Sequence, residues 1–482
     1  RAIDTLQYEG FPEHIHGRFS LKDLQLDFFV MISRYVHFFN YIGKKKEASK
    51  WSQRWFNANI PLPEGTDTNN VIKYAKICIN IHGAISNDMQ AIAILHNAIE
   101  VLNQVPIQLR SEGSCIELLK AYYGLSNKLI ELKRYAEAQS VLDESSNVEI
   151  GQSEAFRKQY LFLLITRRLL AIRTRDFQSA DYLTDQIRSQ QAYLSDQLFY
   201  STEEVDFILQ DAEIKFELKR LHEIKPIVRK ALSISKSYDP FLFLKASRRS
   251  AKLIARLGHL SEAAKILEES IQKGETITKG KPNYALLSNY LELAYVYACL
   301  KESALAANYL SKYEQYESTV KTGRSKEELL RRLLQKAEVS RFCGRYEQAE
   351  QDVSQCFGYL DNLIGTDRPL FELKTINSEA LNLLETHKLG RPYPGFTEII
   401  AKLKSAHQRF IDSGPALQGF ATAQIMDTLG QLYVSKGDKK VALEYFKGAL
   451  KLYRESFSAI NPHHYEIANV ERNMLELLGK GL

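Results

Sequence analysis

The sequence predicts an all-α fold: a right-handed α-solenoid of about ten helix-turn-helix repeats with a C-terminal capping helix. Three observations predict it. Small residues recur at paired offsets through most of the chain, their period is near 43 residues, and the stretches around them carry apolar residues three and four apart. A helix pair with one apolar stripe per helix cannot bury that stripe alone, so a fixed period of such pairs implies stacking in a row.

The pattern is clearest from Thr422 to Leu452. Leu429, Gly430 and Tyr433 form one apolar stripe, and Ala442, Phe446 and Ala449 form a second after the break at Ser435 to Asp438. Gly437 supplies the positive φ that ends the first helix, and Asp438 caps the second. Gly430, Ala442 and Ala449 are small because two helices joined by so short a turn approach closely. This stretch resembles a tetratricopeptide repeat: Gly430, Tyr433, Ala442, Phe446 and Ala449 match the family's eighth, eleventh, twentieth, twenty-fourth and twenty-seventh positions. The family's fourth-position Trp is Met426 here, and no Pro closes the second helix. The long-helix form of the family, with a repeat of about 42 residues, is the nearer likeness, and no subfamily is assigned.

Taken in order, residues 1–19 read as an irregular arm with turn formers Gly10, Pro12 and Gly17. Residues 20–456 read as the repeat array. Its first pair uses Val36, Phe39, a turn at Gly43, then Ala48, Trp51 and Trp55, and ends at Pro61 to Pro63. Later pairs follow at Ile79, His82, Ala91, Ile94 and Ala98; at Ser126, Leu129, Ala138 and Leu142; and at Ala171, Ala180 and Ile187, where Arg168 occupies a site expected to be small. Next come Ala212, Leu221, Ile224 and Ala231, with Pro226 tolerated in a first helical turn. Three cleaner pairs use Ala251, Gly258 and Ala263; Ala294, Tyr297 and Ala306; and Ala337, Gly344 and Ala349.

With Ala442 as the marker position, the series 48, 91, 138, 180, 224, 263, 306, 349, 442 advances by 39 to 47 until a final step of 93. That double step implies one hidden pair, Phe371 to His387 and Phe396 to Ile411, with residues 388–395 as an inserted loop. Residues 457–482 read as a C-terminal capping helix.

Composition and chemistry exclude much. With 45% hydrophobic and 25% charged residues the chain is globular, and no apolar run reaches the roughly 18 residues of a membrane span. Because the sequence starts at Arg1 and not Met, a fragment or processed form is expected. Five scattered cysteines without a C-x-x-C pair predict reduced thiols and a cytoplasmic or nuclear protein. The net charge of +6 is mild for 482 residues. GETITKGKP at 274–282 lacks phosphate-loop spacing, and H-E-x-x-H and G-x-S-x-G are missing. His14 and His16, and His463 and His464, read as solvated side chains, not metal ligands. The expectation is therefore a non-enzyme with no cofactor.

In the resembled family the first helix of each pair lines a concave groove, with its second, fifth, ninth and thirteenth positions pointing inward. Carried onto this sequence, the resemblance implies Lys245, Arg248, Lys252 and Arg256 on one helix, Leu291 and Tyr295 on the next, and Arg331 and Phe342 on the one after, with Arg341 at the groove edge. A basic strip beside an aromatic and apolar one suits an extended or helical protein segment with acidic or phosphorylated residues and an apolar anchor. The leading expectation is thus a protein-interaction scaffold or adaptor within a multiprotein complex. Behind it stand a nucleic-acid-binding solenoid, whose affinity would fall steeply with salt, and the regulatory region of a longer enzyme chain.

Overall fold

The computed structural model describes residues 31, 34–36, 38–39, 44–58, 67–85, 87–148, 151–194, 201–279, 283–318, 320, 325–361, 363, 368–391, 395–413, 418–457 and 461–479. Among them every regular element is a helix. The arm at 1–19, Gly43, Pro61 to Pro63, Pro392 and Pro394 lie outside the described residues. Contacts divide the chain into two compact units, residues 1–198 and 199–482.

The first unit contains α1 (Lys45–Ala58), then three helix pairs: α2 (Thr68–Ile81) with α3 (Asp88–Asn103), α4 (Glu112–Glu131) with α5 (Tyr135–Ser145), and α6 (Glu154–Thr174) with α7 (Phe177–Gln191). Ser and Asp side chains open several of these helices by accepting backbone N–H bonds, as Ser111 does from Ser114 and Ser153 from Phe156.

The second unit begins with α8 (Ser201–Glu217) and α9 (Ile224–Tyr238), followed by α10 (Pro240–Arg256) with α11 (Leu260–Thr278), α12 (Tyr284–Cys299) with α13 (Ser303–Glu317), and α14 (Lys326–Phe342) with α15 (Tyr346–Leu360). The hidden pair is present as α16 (Arg368–Lys388) and α17 (Phe396–Asp412). The unit ends with α18 (Gln418–Lys436), α19 (Lys439–Phe457) and the single helix α20 (Tyr465–Leu477).

One turn serves seven of these pairs. Lys133, Arg175, Lys219, Gly258, Lys301, Gly344 and Gly437 all have positive φ, and each stands five residues before its marker. The next residue's N–H reaches back to the helix it leaves, as Arg134 to Leu129 (2.9 Å) and Asp438 to Tyr433 (2.9 Å) do. This is the Schellman closure, which satisfies the last free carbonyls. The markers Ala138, Ala180, Ile224, Ala263, Ala306 and Ala442 are then fully buried. Gly390 ends α16 in the same way, but Ile399 takes the marker's place nine residues later instead of five, because the inserted loop intervenes.

Arg168 is accommodated by an exchange of sizes. In the α18–α19 pair a Cβ on Gly430 would stand 2.5 Å from the Phe446 ring, so Phe446 requires the glycine. In the α6–α7 pair Thr184 holds the position of Phe446, and its small side chain leaves room for Arg168, whose Nε donates to Thr184 Oγ1 at 2.7 Å. Thr184 Oγ1 donates onward to the Ala180 carbonyl at 2.8 Å. The guanidinium is thereby buried with polar company.

Within residues 199–482, first helices of successive pairs pack on one another, α8 on α10, α10 on α12 and so on to α18 and α20. Successive second helices have no packing of comparable extent among the described residues. A row tight along one layer and open along the other curves toward the tight layer, so the first helices form the inner face. The curvature carries the row back to its own start. A single core cluster runs from Val205 through Tyr313 and takes in Ala423, Phe446, Tyr453, Phe457 and Val470. Phe457 lies against Phe216, with centroids 6.4 Å apart.

The capping helix therefore does more than cover the last pair. Asn461 Nδ2 donates to the Leu257 carbonyl at 3.1 Å, and His464 Nε2 meets the Arg256 carbonyl at 3.1 Å, contacts that span 204 and 208 residues. Because Nδ1 of His464 accepts from the Glu466 N–H (3.3 Å), the proton sits on Nε2 and the ring is neutral. His464, expected as a solvated side chain, is fully buried, and burial pushes its pKa down to about 4.

The fit at Gly258 is tight: a Cβ there would lie 2.5 Å from Asn461 Nδ2 and 2.7 Å from His464 Cδ2, whereas one at Gly344 would meet nothing within 4 Å. Both glycines have positive φ. Gly344→Ala should therefore cost about 1 kcal/mol of backbone strain, and Gly258→Ala should cost roughly 1–3 kcal/mol more. Denaturant titration of both variants, with hydrogen exchange in α20 as a local readout, checks the difference. Equal losses would mean that the closure bears no weight.

Candidate partner-binding face

The inner face of residues 199–482 gathers most of the residues expected to line a groove. On α10, Lys245 and Lys252 are exposed and Arg248 is half-buried, and none of the three has an ion-pair partner among the described residues. Arg256 differs: its guanidinium bonds Glu217 at 3.2 Å and lies 3.7 Å over the Phe216 ring, so it ties α10 to α8. Arg249 also reaches α8, through Asp206 and Glu213.

On α12, Tyr295 is half-buried, but Leu291 is only 2% exposed and packs in the core. It offers a partner no anchor. On α14, Arg331 is exposed and stacks 5.3 Å from the Phe371 ring. Arg341 is buried, with Nε unbonded, and its guanidinium covers the half-open Phe342 ring at 4.5 Å. Inner helices are joined by polar rungs, Arg332 to Ser288 (3.0 Å) and Gln335 to Glu292 (3.1 Å) between α14 and α12.

Three further residues belong to this face, and the sequence reading did not reach them. Asp427 on α18 stands three residues before Gly430, the offset at which Arg248 precedes Ala251, so extending the same spacing to the last pair would have found it. Lys374 and Glu466 had no such signal, since the inserted loop shifts the register of α16 and α20 lies beyond the array.

Charges from six helices act on one another here. Lys374 is exposed, and desolvation by the surrounding protein, followed by the charges of Lys252, Arg331 and Arg256, lowers its pKa to about 8. Lys252 is lowered by the same causes, burial first, then Arg256, Arg331 and Arg248 against the opposing pull of Glu292. First helices pack roughly 8–10 Å apart, so α10 and α16, three places along the row, would stand well beyond charge range in a straight array. Only strong inward curvature brings Lys252 and Lys374 within range.

Carboxyl groups converge from α14, α18 and α20. Burial, then Asp427, raises Glu466 to about 8, although Gln424 donates to it at 3.3 Å. Asp427 is raised to about 6 by burial, despite bonds from Asn473 (3.0 Å) and Gln431 (3.1 Å). Glu338 is raised by burial, with Arg341 and Lys374 acting against the shift.

No group of histidine, cysteine and carboxylate side chains among the described residues could hold a metal ion, and no described helix is long and apolar enough to cross a membrane. Cys78, Cys115, Cys299, Cys343 and Cys356 are free thiols.

The sequence model of the family described as tetratricopeptide repeat matches residues 422–465. No curated protein matches the chain. Among solved structures, the apo form of RapI is similar at 13% identity and a TM-score of 0.49, with 82% of this chain and 99% of that chain covered. The Rap conjugation gene regulator of plasmid pLS20, in complex with the Phr* peptide, is similar at 12% identity and 0.48, covering 86% and 97%. Aspartyl phosphate phosphatase F from Bacillus subtilis is similar at 11% identity and 0.46, covering 91% and 96%.

The displaced carboxyls fix a pH dependence. Glu466 binds its proton more tightly folded than unfolded, from its ordinary 4.5 up to about 8, so in that window the folded chain holds more protons and stability falls as pH rises. Lys374 is displaced the other way, from 10.5 to about 8, and its contribution rises above pH 8. His82, His259, His407 and His464 are all lowered from 6.5 and oppose Glu466 only below that value. The thermal midpoint of the second unit should thus fall between about pH 6.5 and 8, and Glu466→Gln should flatten that slope. A slope unchanged by the substitution would place its origin elsewhere.

Proposed function

We propose that this tetratricopeptide-like repeat protein is a non-catalytic interaction scaffold whose inner face, within residues 199–482, holds a partner-protein segment bearing acidic or phosphorylated side chains. The observation that carries the reading is the cation set Lys252, Arg331 and Lys374, close enough to repel one another and without ion-pair partners among the described residues. Folding brings like charges together at a cost, and such a local conflict is expected where a site awaits a counter-charge. Arg331 offers the forked geometry that carboxylates and phosphates fit, and the two lysines add point charges around it. Phe342, 39% exposed beside Arg341, is the apolar anchor. Leu291 is withdrawn from that role.

Glu338, Asp427 and Glu466 share this face, so a run of backbone phosphates would meet carboxyl groups within a few side chains of the lysines. That disfavours nucleic acid as occupant. The scaffold would act as a subunit of a larger assembly, with the first unit and the outer helices free for other contacts.

Lys252→Met and Lys374→Met test the reading, because a site residue and a structural residue give opposite signs. Each substitution relieves repulsion, so the thermal midpoint should rise or hold, while capture of arrayed acidic and phosphorylated peptides should weaken about tenfold or more, near 1.4 kcal/mol. A lowered midpoint with capture unchanged would make these lysines structural and sink the proposal.

A further inference from the structure

Second helices within residues 199–482 do not pack closely on one another among the described residues, and between α11 and α13 a cleft of about 260 Å³ opens to solvent. The start of α12 completes it. Leu286 of α12 is buried and lines the cleft, seated there because Gly274 of α11 has no side chain: a Cβ on that glycine would stand 2.8 Å from Leu286 Cδ1. Tyr290 and Tyr316 add aromatic surface.

The walls are held in place by the protein's own bonds. The Tyr290 hydroxyl donates to Glu275 Oε1 at 2.9 Å, Lys312 Nζ donates to the same oxygen at 3.1 Å, and the Tyr290 ring packs against Tyr309 with centroids 6.4 Å apart. Lys312 Nζ lies 5.6 Å from the Tyr290 centroid and 5.3 Å from that of Tyr309. Seven residues along each helix, the Tyr297 hydroxyl bonds Glu268 in the same way, so α11 and α12 are pinned at two levels.

One polar atom is left over. Thr278 Oγ1, at the end of α11, is buried without a hydrogen-bond partner among the described residues, whereas Thr276 on the same helix bonds back to the Gln272 carbonyl at 2.9 Å. A buried hydroxyl left unpaired costs the fold free energy, and a ligand's polar atom removes that cost.

Charge, size and hydrogen bonding together select the occupant. Glu275 and Lys312 neutralise one another, so a cation entering the cleft meets Lys312, an anion meets Glu275, and a neutral group is favoured over both. The volume falls short of the roughly 300–1,000 Å³ of sites that enclose a whole small molecule, and it suits one side chain whose main chain stays outside. A ring fits between Tyr290, Tyr316 and Leu286. Thr278 and the remaining N–H groups of Lys312 call for a group that both donates and accepts: a phenol does both, phenylalanine offers neither, and tryptophan only donates.

We propose that this cleft seats the phenol side chain of a tyrosine presented by a partner protein, with Thr278 and Lys312 bonding its hydroxyl. The site is built by second helices and does not rest on the inner-face reading, so either can fail alone.

The test is ligand-observed NMR on the full chain with three end-capped probes, N-acetyl-tyrosinamide, N-acetyl-phenylalaninamide and N-acetyl-tryptophanamide. The tyrosine probe should bind about fivefold better than the phenylalanine probe, the size of one hydrogen bond, and better than the tryptophan probe. Thr278→Val keeps the shape and removes the hydroxyl. It should erase the tyrosine preference while the thermal midpoint holds or rises, because an unpaired buried group goes with it. Lys252→Met, on the inner face, should leave the preference intact. Tyrosine and phenylalanine probes bound alike, the tryptophan probe bound best, or no probe bound at all would overturn the tyrosine site. So would a preference that survives Thr278→Val, one that is lost with Lys252→Met, or a midpoint lowered by Thr278→Val.

Discussion

Seven helix pairs in this protein depend on one backbone constraint, a left-handed residue five positions before a buried marker residue. The left-handed residue reverses the chain in the fewest residues that still satisfy the last carbonyls of the first helix. The marker residue lets the second helix close against it. Together they fix the angle of the pair, and the angle fixes which side of each first helix faces inward. Only three of the seven turns place glycine at the left-handed position, and four accept Lys or Arg there at about 1 kcal/mol each. Tertiary packing on both sides of the turn outweighs that strain.

The same residues explain what the sequence could and could not reveal. Markers from Ala138 to Ala442 were legible because burial between two close helices leaves room for little else, and a gap of 93 positions exposed α16 and α17 by arithmetic alone. The turns at Lys133, Arg175, Lys219 and Lys301 carried no signal, since a lysine or arginine in left-handed conformation looks like any surface cation. Arg168 looked like an error in the pattern because its compensation, Thr184 in place of a large side chain, lies sixteen residues on. The contacts of Asn461 and His464 with α10 were beyond reach for a different reason. Nearest-neighbour periodicity describes an open row, and whether a row closes depends on small rotations summed over all its pairs.

Closure changes what the inner face can be. In an open groove, Lys245, Arg248, Lys252 and Arg256 would form a continuous stripe. In the folded row Arg256 is drawn into the seam between the neighbouring helices α8 and α10, Arg248 is half covered, and the charge of Lys252 acts on Lys374 of α16. The binding surface is thereby reassigned from one helix to several. Residues separated by more than 120 positions become neighbours, and a run of cations readable along one helix becomes a cluster readable only in three dimensions.

That reassignment also decides how selective the face can be. A stripe of cations on one helix binds anions with little regard to what else they carry, because solvent screens each charge separately. Cations converging within a concave wall lose part of that screening, and the carboxyls beside them penalise any ligand that presents negative charge in the wrong place. Attraction and repulsion then act on the same occupant over a short distance. Selectivity in this protein follows from curvature, and the curvature is held where His464 and Asn461 meet the end of α10.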